Sequence, residues 1–243
     1  MSRVAADIIA KEIKENPEII LGLATGGTPV STYKRLVEMN KQGLIDFRSI
    51  TTFNLDEYVG LDVKDDNSYR YFMDDNLFNR VNMDKNYTHL PNGNAADLEK
   101  EGKRYEKLID DAGGIDLQLL GIGGNAHIGF NEPDKVFSAS THVVKLKEST
   151  INANKRFFEE NEKVPDHAIS MGIKTIMKAK KVLLLASGSS KADALYNSFK
   201  GDIDPMVPAS VLQLHHHVIV VADRAAAEKL LNTDLAESFE YIR

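Results

Sequence analysis

Short apolar segments alternate with helix-like segments along this chain, and that order leaves few possible folds. Four apolar segments each end in a small or polar loop that leads into a helix-like pattern: IILGLA (19–24), SITTFNL (49–55), IDLQLLGIG (115–123) and KVLLLAS (181–187). A fifth apolar segment, VIVVA (218–222), closes the series. Near-continuous apolar strands that alternate with helices are typical of a parallel sheet covered on both faces. We therefore predict one α/β domain over residues 1–243, with a Rossmann-like parallel sheet flanked by helices on both faces.

Polar and glycine-rich residues follow the predicted strands. In open α/β sheets, ligands bind beyond the carboxyl ends of the strands. Residues 25–28, Asp56, His127 and Lys191 all lie in loops at predicted strand carboxyl ends. We therefore expect them to meet at one rim of the sheet.

Composition excludes several classes of function. The formal net charge is -6 and no basic stripe is interleaved with aromatic residues, which argues against nucleic-acid binding. The absence of cysteine excludes disulfides, thiolate catalysis and cysteine zinc sites, and suits a reducing compartment. The first residues, MSRVAADIIAKEIK, are charged throughout, and the longest apolar runs are too short to span a bilayer. We expect a soluble, cytoplasmic protein.

Two glycine-rich loops precede predicted helices. ATGGTP is compatible with a phosphate cradle or with a tight turn, because its glycines allow close backbone approach and a helix start attracts anions. It matches neither a P-loop nor a dinucleotide fingerprint. SGSSKA adds Lys191 near a helix start, where a cation is unfavourable by roughly 0.3–1 kcal/mol unless an anion is bound. The second loop therefore favours a phosphate site over a plain turn.

The stretch FNLDEYVGL presents two carboxylates at a predicted strand end. One interpretation is a helix cap or a solvated turn. The other is a general base, whose pKa the apolar flanks Phe53, Leu55, Tyr58 and Val59 would raise towards neutrality. This motif alone leaves both interpretations open.

The segment GIGGNAHIGFNEP carries the most specific signal for chemistry. An isolated histidine is more often a hydrogen-bonded core residue than a catalyst. Here His127 follows a Gly-Gly turn at the predicted rim, and Glu132 comes five residues later. A carboxylate partner holds an imidazole in one tautomer and raises its basicity. We predict that His127 is catalytic.

Two further segments carry competing interpretations. HHH (215–217) could suggest a metal site, but consecutive residues entering a strand point to opposite faces, so we predict a structural role and no metal. ESTINANKRFFEENEKVP (148–165) reads as a polar helix. It is either a surface helix docked by Phe157 and Phe158 or a mobile flap whose Arg156 reaches an anion. We place the flap at about residues 145–165.

Taken together, these motifs resemble those of the glucosamine-6-phosphate deaminase family, part of an isomerase and lactonase superfamily that acts on sugar phosphates. The matching stretches are LATGGTP, FNLDEYVGL, LPNGNA, GIGGNAHIGFNEP, NKRFF and LQLH, in family order from Leu21 to Asp223. They cover most of the chain, and FNLDEYVGL and HIGFNEP together are highly specific. The resemblance implies that glucosamine 6-phosphate and water become fructose 6-phosphate and ammonia, with no cofactor or metal.

The resemblance also implies roles for individual residues. His127 matches the family's ring-opening histidine, Glu132 the carboxylate that supports it, and Asp56 the base that moves a proton from C2 to C1. Asn125 stands where some members carry Asp, which leaves Glu132 as the acidic partner of His127. The implied phosphate-binding residues are Thr25, Gly26, Gly27, Thr28, Arg156 and Lys191.

Other departures from the family qualify the resemblance. Activated members have a basic pair downstream of NEP, where this chain has His142 and Val144, so we predict no activation by N-acetylglucosamine 6-phosphate. Members usually begin with a strand ahead of the first helix, whereas this chain starts with MSRVAADI, within that helix. A monomer and a homo-oligomer are both compatible with the sequence.

Two rival functions remain. A 6-phosphogluconolactonase shares the glycine–histidine turn, but that family lacks FNLDEYVGL and lactone hydrolysis needs no C2 base. A sugar-phosphate sensor would bind without turnover, and it would normally carry a DNA-binding segment, for which the sequence shows no helix-turn-helix pattern.

Overall fold

The computed structural model describes residues 1–159 and 162–234. The strands of this part are β1 Ile20–Leu23, β2 Thr51–Asn54, β3 Asp56–Tyr58, β4 Thr88–His89, β5 Leu117–Gly121, β6 His142–Lys145, β7 His167–Ser170, β8 Lys181–Ala186 and β9 Val218–Ala222. Six of them form one sheet in the order β4-β2-β1-β5-β8-β9, and every neighbouring pair is parallel. This arrangement confirms the predicted α/β class with a parallel sheet.

Helices follow most strands of this sheet and flank it. They are α1 Ser2–Glu15, α2 Val30–Lys41, α3 Tyr69–Met73, α4 Leu98–Asp111, α5 Glu148–Asn154, α6 Ile173–Met177, α7 Ala192–Lys200 and α8 Arg224–Ala227. The longer helices are amphipathic: α1 buries Ala5, Ile9 and Ile13, which are spaced by four residues, against the core. No helix in residues 1–159 and 162–234 is long and apolar enough to cross a membrane.

The five apolar segments correspond to β1, β2, β5, β8 and β9. Buried leucine and valine side chains line β1, β5 and β8, as expected for a sheet covered by helices, whereas β2 buries Thr52, Phe53 and Asn54. The segment VIVVA forms a strand with the predicted bounds, whereas the others are shorter by one to four residues, lost at one or both ends. The edge strand β4 has only two residues and was not predicted.

A second, antiparallel sheet lies beside the first, and it corrects one prediction. Its order is β3-β7-β6, with Asp56 opposite Ser170 in the β3–β7 pair. We expected Asp56 in a loop that ends β2. Instead the chain leaves the first sheet at Leu55, whose amide still bonds to Leu23, and enters the second sheet at once. Asp56 is the first residue of β3, and β2 ends two residues before it. Both sheets therefore fix the position of its backbone.

The predicted polar helix over residues 148–165 is shorter than expected. Helix α5 ends at Asn154, and a 3₁₀ turn at Lys155–Phe157 follows it. Two asparagines in its last three residues are poor helix formers, which fits an early end. Glu160, Asn161 and the side chain of Phe157 lie outside the described part of the flap.

Candidate active site

Asp56 is a buried carboxylate at the junction of the two sheets. Its exposed fraction is 6%. Burial raises the pKa of Asp56 to about 8, and the neighbouring Glu57 carboxylate adds to the increase. A carboxyl group with this pKa can accept and return a proton near neutral pH, which is the property that a general base needs.

Glu57 has a different role from its neighbour. Its carboxylate accepts hydrogen bonds from the backbone amides of Tyr58, Tyr69 and Arg70, at 2.8, 2.9 and 2.9 Å. Burial raises the pKa of Glu57, and these three amides oppose the increase. Glu57 thus binds the first turn of α3, so the capping interpretation of this motif fits Glu57, whereas the surroundings of Asp56 fit the general base.

A tight turn after β5 presents His127. The amide of Gly123 donates to the carbonyl of His127, and the amide of Ala126 donates to the carbonyl of Gly123. Ala126 has a φ of 65°, an unusual conformation for a residue with a side chain. A Cβ atom on Gly123 would lie 2.4 Å from Cε1 of the imidazole. Gly123 must therefore be glycine for the ring to occupy this position.

Glu132 is the acidic partner of this imidazole. Its Oε2 lies 3.6 Å from Nδ1 of His127 and accepts a 2.7 Å hydrogen bond from Nδ2 of Asn125. Its Oε1 accepts a hydrogen bond from Oγ1 of Thr150. Burial alone would raise the pKa of Glu132, but the charge of the nearby His127 and the hydrogen bonds from Thr150 and Asn125 lower it to about 2. Glu132 is therefore a stable anion facing the imidazole.

Asp56 lies beside the loop that carries His127. The position of a Cβ atom on Gly129 would be 3.6 Å from Oδ2 of Asp56 and 3.1 Å from Oγ of Ser170. The same Oγ accepts a 3.0 Å hydrogen bond from the amide of Phe130. The second sheet, through Ser170, thus holds the loop against Asp56. Gly129, the loop residue that approaches Asp56, follows His127 by two residues, so Asp56 and the imidazole border the same loop.

An aromatic cluster borders Asp56, and the sequence did not reveal it. Tyr69 stacks on Phe130 with ring centroids 6.0 Å apart, and Tyr58 lies 4.8 Å from Tyr69 and 5.8 Å from Phe158. Burial raises the pKa of the Tyr58 and Tyr69 phenols, and both lie close enough to Asp56 for its charge to add to the increase. Phe158 belongs to the flap, so one of the two phenylalanines expected to dock the flap does contact this cluster.

Two cations meet at the predicted phosphate site. Lys191 ends a 3₁₀ turn, Ser189–Lys191, that begins after Gly188 and leads into α7. Burial lowers the pKa of Lys191, and the positive charge of Arg156 lowers it further. Like charges that repel each other at a half-buried position favour a bound anion. The flap residue Arg156 thus acts electrostatically on Lys191, and its contact with an anion stays a prediction.

The loop of residues 25–28 lies between β1 and α2, as predicted. Gly26 has a φ of 90°, and the space where its Cβ would be is open. Pro29 immediately precedes the first residue of α2. The side chain of Thr25 shares a hydrogen bond with Tyr69, which connects this loop to the aromatic cluster beside Asp56.

The histidine triplet has mainly backbone contacts. The imidazole of His215 is buried and its Nε2 lies 2.8 Å from the carbonyl oxygen of Ala179. Its Nδ1 accepts from the amide of His217 at 3.0 Å, and its ring stacks on His216. These contacts agree with the structural role that we expected.

Sequence reasoning missed the residues that support the site from other segments. Thr150, Ser170 and Tyr69 each contact a predicted site residue or the loop that carries it. Thr150 and Ser170 are small hydroxyl residues with no motif around them. Tyr69 lies eight residues after the end of FNLDEYVGL, and only the folded chain brings it to the side chain of Thr25.

Known proteins resemble this chain over nearly its whole length. A sequence profile of the family described as glucosamine-6-phosphate isomerases/6-phosphogluconolactonase matches residues 1–221. The glucosamine-6-phosphate deaminase of Clostridioides difficile (strain 630) is 59% identical over 230 residues, which cover 95% of this chain and 92% of that protein. The deaminase of Thermoanaerobacter sp. (strain X514) is 56% identical over 237 residues, covering 98% and 94%.

Solved structures extend the comparison. A glucosamine-6-phosphate deaminase described as monomeric is 50% identical, with a TM-score of 0.91 over 94% of this chain and 95% of that one. The 6-phosphogluconolactonase of Thermotoga maritima has a TM-score of 0.69 over 90% and 95%, but at 20% identity it shows the shared fold alone. The chain belongs to the glucosamine-6-phosphate isomerase/6-phosphogluconolactonase family.

Proposed function

We propose that this chain is an enzyme that converts glucosamine 6-phosphate and water to fructose 6-phosphate and ammonia. The observation that carries the proposal is the shared site of Asp56 and the His127–Glu132 pair. Deaminases at 56% and 59% identity over nearly the whole chain support the same activity.

Ring opening is the first step that the site must perform. The sugar loses a proton from its anomeric hydroxyl and gains one at the ring oxygen. His127 can carry both transfers, because an imidazole accepts and donates protons near neutral pH. Glu132, as a stable anion at 3.6 Å, favours the protonated imidazole that forms between the two transfers.

Isomerisation and deamination follow. The open-chain aldehyde makes the proton on C2 acidic, and Asp56 removes that proton and returns it to C1. This shift leaves an iminium at C2, and water adds to it and releases ammonia. Each proton transfer by a positioned side chain contributes roughly 10²–10⁴-fold, so substrate positioning must supply much of the remaining acceleration.

The phosphate group is the handle for that positioning. Thr25, Gly26, Gly27 and Thr28 offer a glycine-containing loop before α2, and Lys191 and Arg156 supply the positive charge. Phosphate binding relieves the repulsion between these two cations. Binding energy gained at the phosphate can thus hold C1 and C2 against Asp56.

The rival lactonase activity has less support. Lactone hydrolysis requires no base at C2, and the burial that raises the pKa of Asp56 would have no purpose there. The lactonase of Thermotoga maritima shares the fold at only 20% identity.

The absence of activation by N-acetylglucosamine 6-phosphate stays a prediction. It is based on His142 and Val144, which lie on β6.

The direct test is a product assay. Purified protein, without added metal, is incubated with glucosamine 6-phosphate, and ammonia and fructose 6-phosphate are both measured. We expect equal amounts of the two products. Asp56→Asn should lower kcat by roughly 10²–10⁴-fold, because asparagine cannot accept the C2 proton.

Other outcomes would point to different functions. Fructose 6-phosphate without ammonia would indicate a different isomerase, and neither product would favour a sensor. 6-Phosphogluconolactone is the control substrate: turnover of this lactone that survives Asp56→Asn would establish the lactonase instead.

A further inference from the structure

Thr150 is a buried residue of α5 that the mechanism above does not use. Only 4% of its surface is exposed, and its Oγ1 donates a hydrogen bond to Oε1 of Glu132. The other carboxylate oxygen, Oε2, accepts from Asn125 at 2.7 Å and faces His127 at 3.6 Å. Each oxygen of Glu132 therefore has its own partners, and Thr150 alone is bonded to Oε1 among the described residues.

The hydrogen bond from Thr150 restricts the orientation of the Glu132 carboxylate. No lysine or arginine among the described residues forms an ion pair with Glu132. A carboxylate held only through Oε2 could still rotate about its Cγ–Cδ bond and turn that oxygen away from the imidazole. Catalytic groups need to be held within roughly 0.5 Å of their productive positions. Thr150 supplies the second point of attachment that such precision requires.

Thr150 also belongs to the segment that reaches the phosphate site. Asn154, one helical turn later, donates to the hydroxyl of Tyr58 at 2.9 Å, beside Asp56. Arg156, two residues further, acts electrostatically on Lys191. One stretch of seven residues, 150–156, thus contacts Glu132 and the surroundings of Asp56, and its Arg156 acts electrostatically on Lys191.

We propose that Thr150 is a positioning residue that holds Glu132 in line with His127, and that it couples the docking of the flap on the substrate phosphate to ring opening. This inference rests on the proposed function. Phosphate bound by Arg156 and Lys191 secures the segment, and the secured segment keeps the Thr150 hydroxyl on Glu132.

The test compares variants of two neighbouring hydroxyl residues. Thr150→Val keeps the volume and removes the hydrogen bond, Thr150→Ser keeps the hydroxyl, and Ser149→Ala removes an exposed hydroxyl from the same helix. We expect Thr150→Val to lower kcat by about 10-fold or more, because the change removes a hydrogen bond to a charged group. KM should change by less than about twofold. Thr150→Ser should recover most of the wild-type kcat, and Ser149→Ala should match the wild type.

A purely structural role predicts a different pattern. If Thr150 only packs the flap, Thr150→Val should raise KM through Arg156 and leave kcat unchanged, and this result would overturn the inference. An unchanged kcat and KM would do the same. A wild-type protein that fails to release ammonia would instead refute the proposed function, before any variant is compared.

A double variant tests the coupling. Arg156→Lys keeps the charge but loses the planar group that binds phosphate in two places. If the flap carries the effect, Thr150→Val should lower kcat several-fold less in the Arg156→Lys protein than in the wild type, because the segment is already loosened. Equal effects in the two backgrounds would leave Thr150 acting on Glu132 alone and refute the coupling.

Discussion

Asp56 and Glu57 are consecutive residues of one strand, yet their carboxylates meet different surroundings. Alternation along β3 sends the two side chains to opposite faces. On one face Glu57 meets three backbone amides at the start of α3. On the other, Asp56 meets an aromatic cluster and a glycine loop. The difference in surroundings, and not in residue type, decides which carboxylate can act as the base.

The raised pKa of Asp56 predicts a pH dependence. The base must be deprotonated to take the C2 proton, and burial, followed by the charge of Glu57, raises the pKa of Asp56 to about 8 in the free enzyme. We expect kcat/KM to rise with pH, about tenfold per pH unit well below this value, and to level off above it. Initial rates of ammonia release between pH 5.5 and 9.5 measure this profile.

The amine of the substrate also titrates, and the variant Glu57→Gln distinguishes its titration from that of Asp56. The charge of Glu57 raises the pKa of Asp56, so its removal should move the rising limb of the profile to lower pH. Glutamine retains one carbonyl oxygen for the amides at the start of α3. A limb that stays in place in this variant would assign the titration to the substrate and contradict our interpretation of Asp56.

At the residue scale, the sequence revealed the groups that carry chemistry better than the groups that position them. Asp56 and His127 occur in motifs whose residue types are unusual for a core or a turn. Thr150 and Ser170 are single hydroxyl residues, and their partners Glu132 and Phe130 lie 18 and 40 positions away. Local sequence contains no information about such contacts, because they depend on how the two sheets pack.

At the scale of elements, the end of β5 determines where the imidazole lies. Gly123→Ala would place a methyl group 2.4 Å from Cε1 of His127, so the ring must move. We expect a decrease in kcat/KM of more than roughly 10-fold, since a misplacement of about 1 Å can cost 10²-fold. Steady-state kinetics of the purified variant measure this effect, and circular dichroism verifies its fold.

Gly121→Ala is the matched control. Gly121 ends the same strand, and no atom lies within 4 Å of the position of its added Cβ. Activity close to that of the wild type is expected. Equal losses in the two variants would show that this strand end tolerates no side chain for general packing reasons, and the specific argument about His127 would fail.

The two sheets differ in how far the sequence predicts them. Apart from the two-residue β4, the first sheet corresponds to segments whose composition and order indicate buried parallel strands. The second is built from the short strands DEY, HVVK and HAIS, of which two begin with histidine and one with aspartate. Their antiparallel partners are far apart in the chain, and such short polar strands cannot be distinguished from loops by periodicity. The sheet that holds Asp56 was therefore invisible in the sequence.

At the scale of the whole molecule, the carboxylates of Glu132 and Asp56 affect stability in opposite ways. The pKa of Glu132 is lowered to about 2, against roughly 4.3 in an unfolded chain. Its contribution to stability is therefore present above about pH 4.3 and is lost as pH falls towards 2. Asp56 has a raised pKa, so its contribution has the reverse dependence. The site thus retains one anion that favours folding and one carboxyl group whose ionisation opposes it.

Removal of the Asp56 carboxylate should therefore stabilise the protein at alkaline pH. Between about pH 4, the unfolded value, and about pH 8, the folded state holds a proton that the unfolded chain releases. The free energy of unfolding of the wild type should fall across this window by up to about 1.4 kcal/mol per pH unit relative to Asp56→Asn, whose amide does not ionise. Urea denaturation of both proteins at pH 5 and pH 8 gives this difference.

Asp202→Asn, at an exposed position, is the control, and its stability relative to the wild type should not change between the two pH values. If the advantage of Asp56→Asn were the same at both pH values, the carboxyl group would titrate alike in the folded and unfolded chains. Burial would then not be what prepares Asp56 to act as a base.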